Sequence, residues 1–179
     1  MSEPGNVFLV GPMGSGKSAV GRQLARDLGI EFVDSDSEIE RRTGVDITFI
    51  FDKEGEHRFR EREKAVIADL TQRENLVLAT GGGAILDADN RRLLSENGIV
   101  VYLKTSVKQQ LERTRHTEKR PLLLKGDPAQ VLEQLMEVRG PLYEELASIV
   151  VDTGGQRVTS VVDKIKTRLV EHDFAPLKK

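Results

Sequence analysis

The chain has 179 residues, 38% of them hydrophobic, which is enough for one domain with a substantial core. Its 27 basic and 29 acidic residues leave a net charge of −2, which argues against a nucleic-acid-binding protein, because such proteins usually carry a basic surface. The chain contains no cysteine, so disulfides and thiolate-bound zinc are excluded.

Short apolar runs alternate with longer amphipathic stretches, which is typical of an α/β protein with a parallel sheet. The runs of Val, Leu and Ile lack clean alternation, which indicates strands covered by helices on both faces. We predict strands over residues 7–10, 31–34, 76–80, 99–104 and 149–152. We predict helices over residues 17–28, 37–42, 56–72, 88–96, 107–114, 128–138 and 158–171. No repeat or linker divides the chain, so we predict a single domain over residues 1–179.

The chain shows no sign of membrane insertion or export. Its longest apolar runs, such as residues 99–103, are far shorter than a membrane span. Residues 1–6 have neither the basic nor the apolar region of a signal peptide. We therefore expect a cytoplasmic protein that binds neither membranes nor nucleic acid.

The first predicted strand is followed by a phosphate-binding motif. Residues 11–18 read GPMGSGKS, which matches G-x-x-x-x-G-K-[ST], and they lie between a strand and a helix as that motif requires. Glycines let successive backbone N–H groups turn around phosphate oxygens, and the helix N-terminus adds its positive end. Lys17 would place its charge at the β- and γ-phosphates, and Ser18 would offer a hydroxyl to magnesium. A glycine-rich turn that binds nothing is the alternative, but the complete motif in this context favours phosphate binding.

Two further segments follow strand ends, where the ligands of open parallel sheets gather. Asp34 and Asp36 follow the second strand, and in an extended backbone both would project the same way, one toward magnesium and one toward an acceptor hydroxyl. The alternative is an acidic N-cap for the helix over residues 37–42, which would account for only one carboxylate. Residues 81–83, all glycine, follow the third strand and would expose backbone N–H groups to the cleft, unless they form a plain loop.

A basic stretch separates two predicted helices at residues 113–125. Its basic residues include Arg113, Arg115, Lys119 and Arg120. Such a run is usually a solvated surface, but in a kinase it would act as a mobile lid that closes over ATP and excludes water. Asp127 and Pro128 would mark its far end, as the N-cap and first residue of the next helix.

Together these motifs resemble those of shikimate kinases, over nearly the whole chain. The resemblance is carried, in the family's order and spacing, by residues 11–18, 34–36, 50–56, 59–63, 79–83, 119–122 and 139–143. It implies a three-layer α/β sandwich of the P-loop NTPase type, with a five-stranded parallel sheet of order 2-3-1-4-5 and helices on both faces. It also implies that a monomer uses ATP and Mg²⁺ to phosphorylate the 3-hydroxyl of shikimate, on the route to chorismate and the aromatic amino acids.

The resemblance further implies roles for individual residues. Lys17, Asp36 and Arg120 would be catalytic. Shikimate would be held by Asp36, Arg60, Gly82 and Arg139, with its site drawn mainly from residues 34–63. Ser18 would bind magnesium directly and Asp34 would assist through water. ATP would be held by Gly14, Ser15, Gly16, Lys17, Ser18, Ala19, Arg120 and Gln156, with Gln156 beside the adenine.

The two implied arginines suit an acceptor with one carboxylate and three hydroxyls. Arg60 and Arg139 could clamp the carboxylate bidentately, which lysine cannot do. Glu63 falls one helical turn after Arg60 and could orient its guanidinium. Arg60 lies in a charge-rich stretch, so a solvated helix face is its alternative. Residues 139–141, Arg-Gly-Pro, predict a break between helices that would aim Arg139 at the site.

Other functions remain as alternatives. A regulatory GTPase would explain residues 52–55, which match D-x-x-G, but the chain has no Asn-Lys dipeptide and so lacks the N-K-x-D guanine-recognition motif. A kinase for another small acceptor, such as gluconate or a nucleotide, is nearer, but those families lack the combination of the Arg60 segment, residues 81–83 and Arg139. A purely structural role would leave residues 11–18 unexplained.

Overall fold

Five parallel strands form the centre of the structure, a computed structural model that describes residues 5–114 and 126–174. The strands are β1 (Asn6–Val10), β2 (Glu31–Asp34), β3 (Leu76–Ala79), β4 (Gly98–Lys104) and β5 (Ile149–Asp152). They form one sheet of order β2-β3-β1-β4-β5, and each neighbouring pair is parallel. The α/β fold and the strand order implied by the resemblance are confirmed.

Helices follow the strands throughout the part of the chain that the structure describes. They are α1 (Lys17–Leu28), α2 (Ser35–Thr43), α3 (Ile47–Leu70), α4 (Ala88–Asn97), α5 (Val107–Thr114), α6 (Pro128–Leu146) and α7 (Val158–Glu171), with a short 3₁₀ turn at Ala84–Leu86. Across residues 5–114 and 126–174, none of these helices has the length and apolar character needed to cross a membrane.

The sheet is covered on both faces, which gives the predicted three layers. Alternate residues of a strand point to opposite faces, so Val7 and Leu9 of β1 pack in one apolar cluster while Phe8 and Val10 pack in the other. The first cluster includes residues of α1 and α7, and the second includes residues of α3 and α4. β1 is buried along its whole length, because it lies at the centre of the sheet.

The predicted break at Arg139-Gly140-Pro141 is wrong, because α6 runs through it from Pro128 to Leu146. A proline inside a helix removes one backbone hydrogen bond and costs about 3 kcal/mol. Leu132, Arg139 and Tyr143 are nevertheless buried on both sides of Pro141. They recur at seven and four residues, which places them on one helix face, and the packing of that face holds the two halves of the helix in line.

Two other helices begin earlier than predicted. α3 begins at Ile47, where Asp46 caps it by accepting from the N–H of Phe49 at 2.8 Å, rather than at residue 56. Gly55 interrupts it with φ 83° and ψ 169°, so the predicted start corresponds to this kink. α2 begins at Ser35 rather than at residue 37.

Candidate active site

The phosphate-binding motif forms a loop between β1 and α1, as predicted. Gly16 is the N-cap residue of α1, with φ 90°, and provides no side-chain cap, so the first N–H groups of the helix face the loop. Gly11 and Gly14 also have positive φ, 148° and 76°, a backbone conformation that other residues rarely adopt. The loop and helix end therefore form a concave surface of N–H donors that fits an anion.

Five of the eight residues predicted to bind ATP line one cavity at this loop, of about 340 Å³. Its lining includes Gly14, Gly16, Lys17, Ser18 and Ala19. Ser15 belongs to the same loop but is fully buried and does not line this cavity. The ammonium group of Lys17 donates to the carbonyl oxygens of Gly11, at 2.6 Å, and Pro12, at 2.8 Å, so it lies across the mouth of the loop. That position places its charge where a phosphate would enter.

Ser18 and Asp34 join the phosphate loop to the end of β2. The Ser18 hydroxyl donates to Oδ2 of Asp34 at 2.5 Å. Oδ1 of Asp34 caps α2, because it accepts from the N–H groups of Asp36, at 2.9 Å, and Ser37, at 3.1 Å. Asp34 thus performs the capping role, and the other carboxylate oxygen remains directed at the phosphate cavity.

The extended arrangement predicted for Asp34 and Asp36 is wrong, because Asp36 already lies in the first turn of α2. The helix begins at Ser35 because the Asp34 cap starts it there. Both carboxylates still line the phosphate cavity. Asp34 lines the cavity from the end of β2 and Asp36 from the first turn of α2, so they do not project from one strand in the same direction.

The donors beside the phosphate loop suit magnesium. A serine hydroxyl and a carboxylate are the hard oxygen ligands that Mg²⁺ prefers, and Mg²⁺ keeps several water and phosphate ligands. Within the described ranges no group of three or more histidine or acidic side chains could hold a metal alone. A metal here would therefore depend on water and phosphate oxygens for most of its coordination.

A second cavity, of about 120 Å³, adjoins the first on the side of α3 and α6. It contains Arg60, Arg139 and the glycines at 81–83, against an apolar wall that includes Phe51 and Phe59. The residues that line both cavities are Met13, Asp36, Glu40, Gly81 and Gly82. Asp36 therefore lies where a group bound in one cavity meets a group bound in the other.

Arg60 is directed into the second cavity by two carboxylates on its own helix. It donates to Glu63 at 2.9 Å and to Glu56 at 3.2 Å. The Glu63 side chain is only 2% exposed, and burial raises its pKa, although the nearby Arg60 opposes this. Arg60 is 23% exposed, whereas its neighbour Arg58 is 63% exposed. Arg60 therefore stands apart from the solvated charges around it.

Arg139 enters the cavity from α6 and is 5% exposed. Burial lowers its pKa, although an arginine stays charged at any ordinary pH. A carboxylate ligand is a partner that would compensate a buried guanidinium. The Tyr143 hydroxyl lies beside Arg139 and donates to the carbonyl oxygen of Gly82 at 2.5 Å.

The glycines at 81–83 pass close to these charged groups. The N–H of Gly81 donates to the Ser35 hydroxyl at 2.9 Å. A side chain at Gly83 would overlap the guanidinium of Arg60, and one at Gly82 would come within 3.4 Å of Arg139. Glycine at position 83 therefore lets the backbone approach Arg60, so this is a close-packed wall of the cavity rather than a plain loop.

Gln156 and Arg113 both lie at the loop that follows β5, and Arg113 also lines the phosphate cavity. Gln156 follows β5, donates to the carbonyl of Asp152 at 2.8 Å and accepts from Lys164 at 2.7 Å. Arg113 donates to the carbonyls of Gly14, at 2.9 Å, and Thr153, at 3.2 Å, so it joins the phosphate loop to the loop after β5. The sequence assigned Arg113 only to the basic stretch and gave no signal of this contact. Arg120 and residues 115–125 of the predicted lid lie outside the described residues.

Comparisons with known proteins agree on one family. Residues 13–170 match the family model described as shikimate kinase. The chain is 55% identical to a shikimate kinase from Vibrio cholerae over 96% of its own length and 99% of that protein. It is 58% identical to a shikimate kinase from Francisella philomiragia over 93% of its length and 95% of that protein.

A solved structure extends the agreement to three dimensions. The structure of a shikimate kinase from Acinetobacter baumannii in complex with shikimate is 50% identical to the chain. It superposes with a TM-score of 0.93 and covers 96% of each chain.

Proposed function

The chain belongs to the shikimate kinase family, and from that premise we propose that it transfers the γ-phosphoryl group of ATP to the 3-hydroxyl of shikimate, giving 3-phosphoshikimate and ADP. The observation that carries the proposal is the pair of adjoining cavities. One cavity is lined by the phosphate-binding loop, and the other is lined by two arginines. Asp36 lines both cavities. A kinase needs this arrangement, because donor and acceptor must meet in line at one point.

The phosphate cavity supports the binding of ATP. The N–H groups of the loop and the charge of Lys17 would neutralise the β- and γ-phosphates, and Lys17 would exchange its two carbonyl partners for phosphate oxygens. Ser18 would bind Mg²⁺ directly and Asp34 through water; when bound, the ion would offset charge on the phosphates.

The second cavity supports an acceptor that is both anionic and rich in hydroxyls. Arg60 and Arg139 would clamp the carboxylate of shikimate, since a guanidinium presents two parallel N–H donors to a carboxylate. The backbone at Gly82 would hold the acceptor against the phosphate loop. The apolar wall that includes Phe51 and Phe59 would contact the ring face.

Asp36 would receive the proton of the acceptor hydroxyl. The hydroxyl oxygen forms a bond to the γ-phosphorus as the bond to the oxygen bridging the β- and γ-phosphates breaks, and the hydroxyl proton passes to the Asp36 carboxylate. Phosphoryl transfer has a loose transition state, so placing the hydroxyl matters more than the strength of the base.

The remaining assignments stay predictions. Arg120 would reach the transferring phosphate, and Gln156 would lie beside the adenine. We also expect the enzyme to act as a monomer in the cytoplasm.

The direct test is an acceptor panel under identical conditions. Release of ADP from ATP is measured with shikimate, gluconate, nucleoside monophosphates and no acceptor, and the phosphorylated product is identified by mass and phosphorus NMR. We expect ADP release that requires Mg²⁺ and depends on shikimate. Equal rates with every acceptor, or turnover with gluconate or nucleotides only, would overturn the proposal.

A further inference from the structure

Two backbone N–H groups of the glycines that line the second cavity have no hydrogen-bond acceptor among the described residues. They belong to Gly82 and Gly83, and within residues 5–114 and 126–174 no oxygen accepts from either. Both glycines line the cavity, and Gly83 is buried. Buried N–H groups are almost always paired in proteins, so these two are available for a ligand oxygen.

Both N–H groups are held in direction through the carbonyl of the same peptide unit. A planar trans peptide points its C=O and its N–H in opposite directions. The carbonyl of Gly81 accepts from the N–H of Ala84 at 3.1 Å, which fixes the N–H of Gly82. The carbonyl of Gly82 accepts from the Tyr143 hydroxyl at 2.5 Å, which fixes the N–H of Gly83. Two hydrogen bonds therefore fix the directions of the two N–H groups. The direction of the Gly83 N–H depends on the side chain of Tyr143 alone.

Tyr143 is itself held firmly. Its side chain is fully buried and stacks on Tyr102, with ring centroids 5.0 Å apart and ring planes at 25°. Burial raises its pKa, so the hydroxyl stays protonated and remains a donor. Tyr143 also lies one helical turn after Arg139, and the charge of the nearby guanidinium partly opposes the rise of the hydroxyl pKa. The Tyr143 hydroxyl thus hydrogen-bonds to the glycine loop and lies beside the arginine.

We propose that Tyr143 is a positioning residue for the acceptor, which sets the Gly83 N–H and the Arg139 guanidinium relative to each other. The side chain does not enter the cavity and acts only through these two groups. This inference rests on the proposed function and deepens it, because it names the residue that fixes the relative positions of two groups that would bind the acceptor. Among the described residues, no hydrogen bond joins Tyr143 to the phosphate loop, so we expect its effect to be confined to the acceptor.

The test replaces Tyr143 with phenylalanine, which keeps the ring and its stacking and removes one hydroxyl. We expect the KM for shikimate to rise about tenfold, which corresponds to about 1.4 kcal/mol, while the KM for ATP stays within about twofold. Tyr102→Phe is the matched control, because the one hydrogen bond of its hydroxyl among the described residues is a long one, to the sulfur of Met136 at 4.0 Å. We expect both KM values of that control to match the wild type.

Three outcomes separate the possible failures. If wild type does not phosphorylate shikimate at all, the proposed function itself is wrong. If wild type is active and Tyr143→Phe changes neither KM, or changes both equally, only the positioning role is wrong. If the variant is too unstable to assay, amide NMR of the wild type decides: we expect the Gly83 N–H signal to shift on addition of shikimate, and an unchanged signal would overturn the inference.

Discussion

At the scale of single residues, the acceptor cavity is distinguished by buried positive charge. Arg139 is 5% exposed, and burial disfavours a charge that water no longer solvates. Glu63 offsets part of the positive charge of Arg60, but it is itself so buried that its pKa is raised. The two arginines therefore gain more from an anionic ligand than solvated arginines would. This difference makes substitutions at the two sites informative.

Arg139→Lys tests whether the guanidinium fork is needed. The change keeps the positive charge but removes the paired donors, and one lost charge-assisted hydrogen bond is worth about 1.5–3 kcal/mol. We therefore expect shikimate to bind roughly 10- to 150-fold more weakly, as converted from that range, while ATP affinity changes little. Calorimetric titration of each ligand measures both effects. Arg58→Lys, at an exposed arginine on α3, is the control, and equal losses for both ligands would make Arg139 a structural residue.

Asp36→Asn tests the proton acceptor. An amide can still hydrogen-bond to the acceptor hydroxyl, but it cannot take up its proton. We expect shikimate affinity to fall only modestly, while the single-turnover rate of transfer falls by about 10²- to 10⁴-fold, the usual range for general acid–base catalysis. Rapid-quench measurements at saturating ligands separate the two effects. A transfer rate equal to that of the wild type would remove Asp36 from the chemistry.

At the scale of the elements, the sequence predicted best where a local pattern and the tertiary structure agree. α1 and α7 have the predicted bounds, because each carries a helix period with no internal proline. It failed at Pro141, where burial of Leu132 and Tyr143 on the same face overrides a local helix breaker. The contacts of Arg113 with the phosphate loop and of Tyr143 with Gly82 join distant segments of the chain, which no local pattern reveals.

An ion-pair group at the contact between α2 and α3 is centred on one nearly buried carboxylate. Glu38 accepts from Arg41 at 2.6 Å and from Arg42 at 2.9 Å, and Arg42 also pairs with Asp69 of α3. Hydrogen bonding from Arg41 is the main cause that lowers the pKa of Glu38 to about 2, against the opposing effect of burial. α2 carries Asp36, so this ion-pair group also steadies the element that presents the proton acceptor.

Glu38→Gln should destabilise the protein in a pH-dependent way. A carboxyl group with a lowered folded-state pKa contributes stability that is fully present above its unfolded pKa, near 4.5, and is lost as the pH falls toward 2. We expect the free energy of unfolding of the variant to be about 1–2 kcal/mol lower than that of the wild type at pH 7. The loss is kept small because Arg41 is exposed and solvent screens its interaction with Glu38. The gap to the wild type should narrow below pH 4.5 in urea titrations. Glu96→Gln, at an exposed ion pair, should change little at any pH, and a pH-independent effect of Glu38→Gln would contradict the assignment.

At the scale of the whole molecule, the parallel sheet brings the two cavities together. The phosphate loop follows β1, Asp36 follows β2 and the glycines at 81–83 follow β3, and these three strands are neighbours with their ends at one edge. α6 packs in the same apolar cluster as α3 and α4, through Tyr143, and adds Arg139. Each ligand is therefore contacted by a largely separate set of residues, and only a few residues line both cavities.

Because the two cavities are lined by largely different residues, a substitution in one cavity should change the Tm rise caused by one ligand and not the rise caused by the other. A ligand present at about 100 times its Kd stabilises the folded state by about 2.7 kcal/mol, which for a chain of this size raises Tm by roughly 5–10 °C. In Lys17→Ala we expect the rise caused by shikimate to remain and the rise caused by a non-hydrolysable ATP analogue with Mg²⁺ to fall sharply. Turnover should fall by at least about 10²- to 10³-fold, because charge on the migrating phosphoryl group is no longer neutralised.

Arg139→Lys should give the reverse result. We expect the nucleotide to raise Tm as in the wild type and shikimate to raise it less. The comparison of the two variants controls for general loss of stability, since a merely weakened protein would lose both rises together. That joint loss in Lys17→Ala, or a Tm far below that of the wild type without ligand, would mean that Lys17 supports the fold through the carbonyls of Gly11 and Pro12 rather than through phosphate.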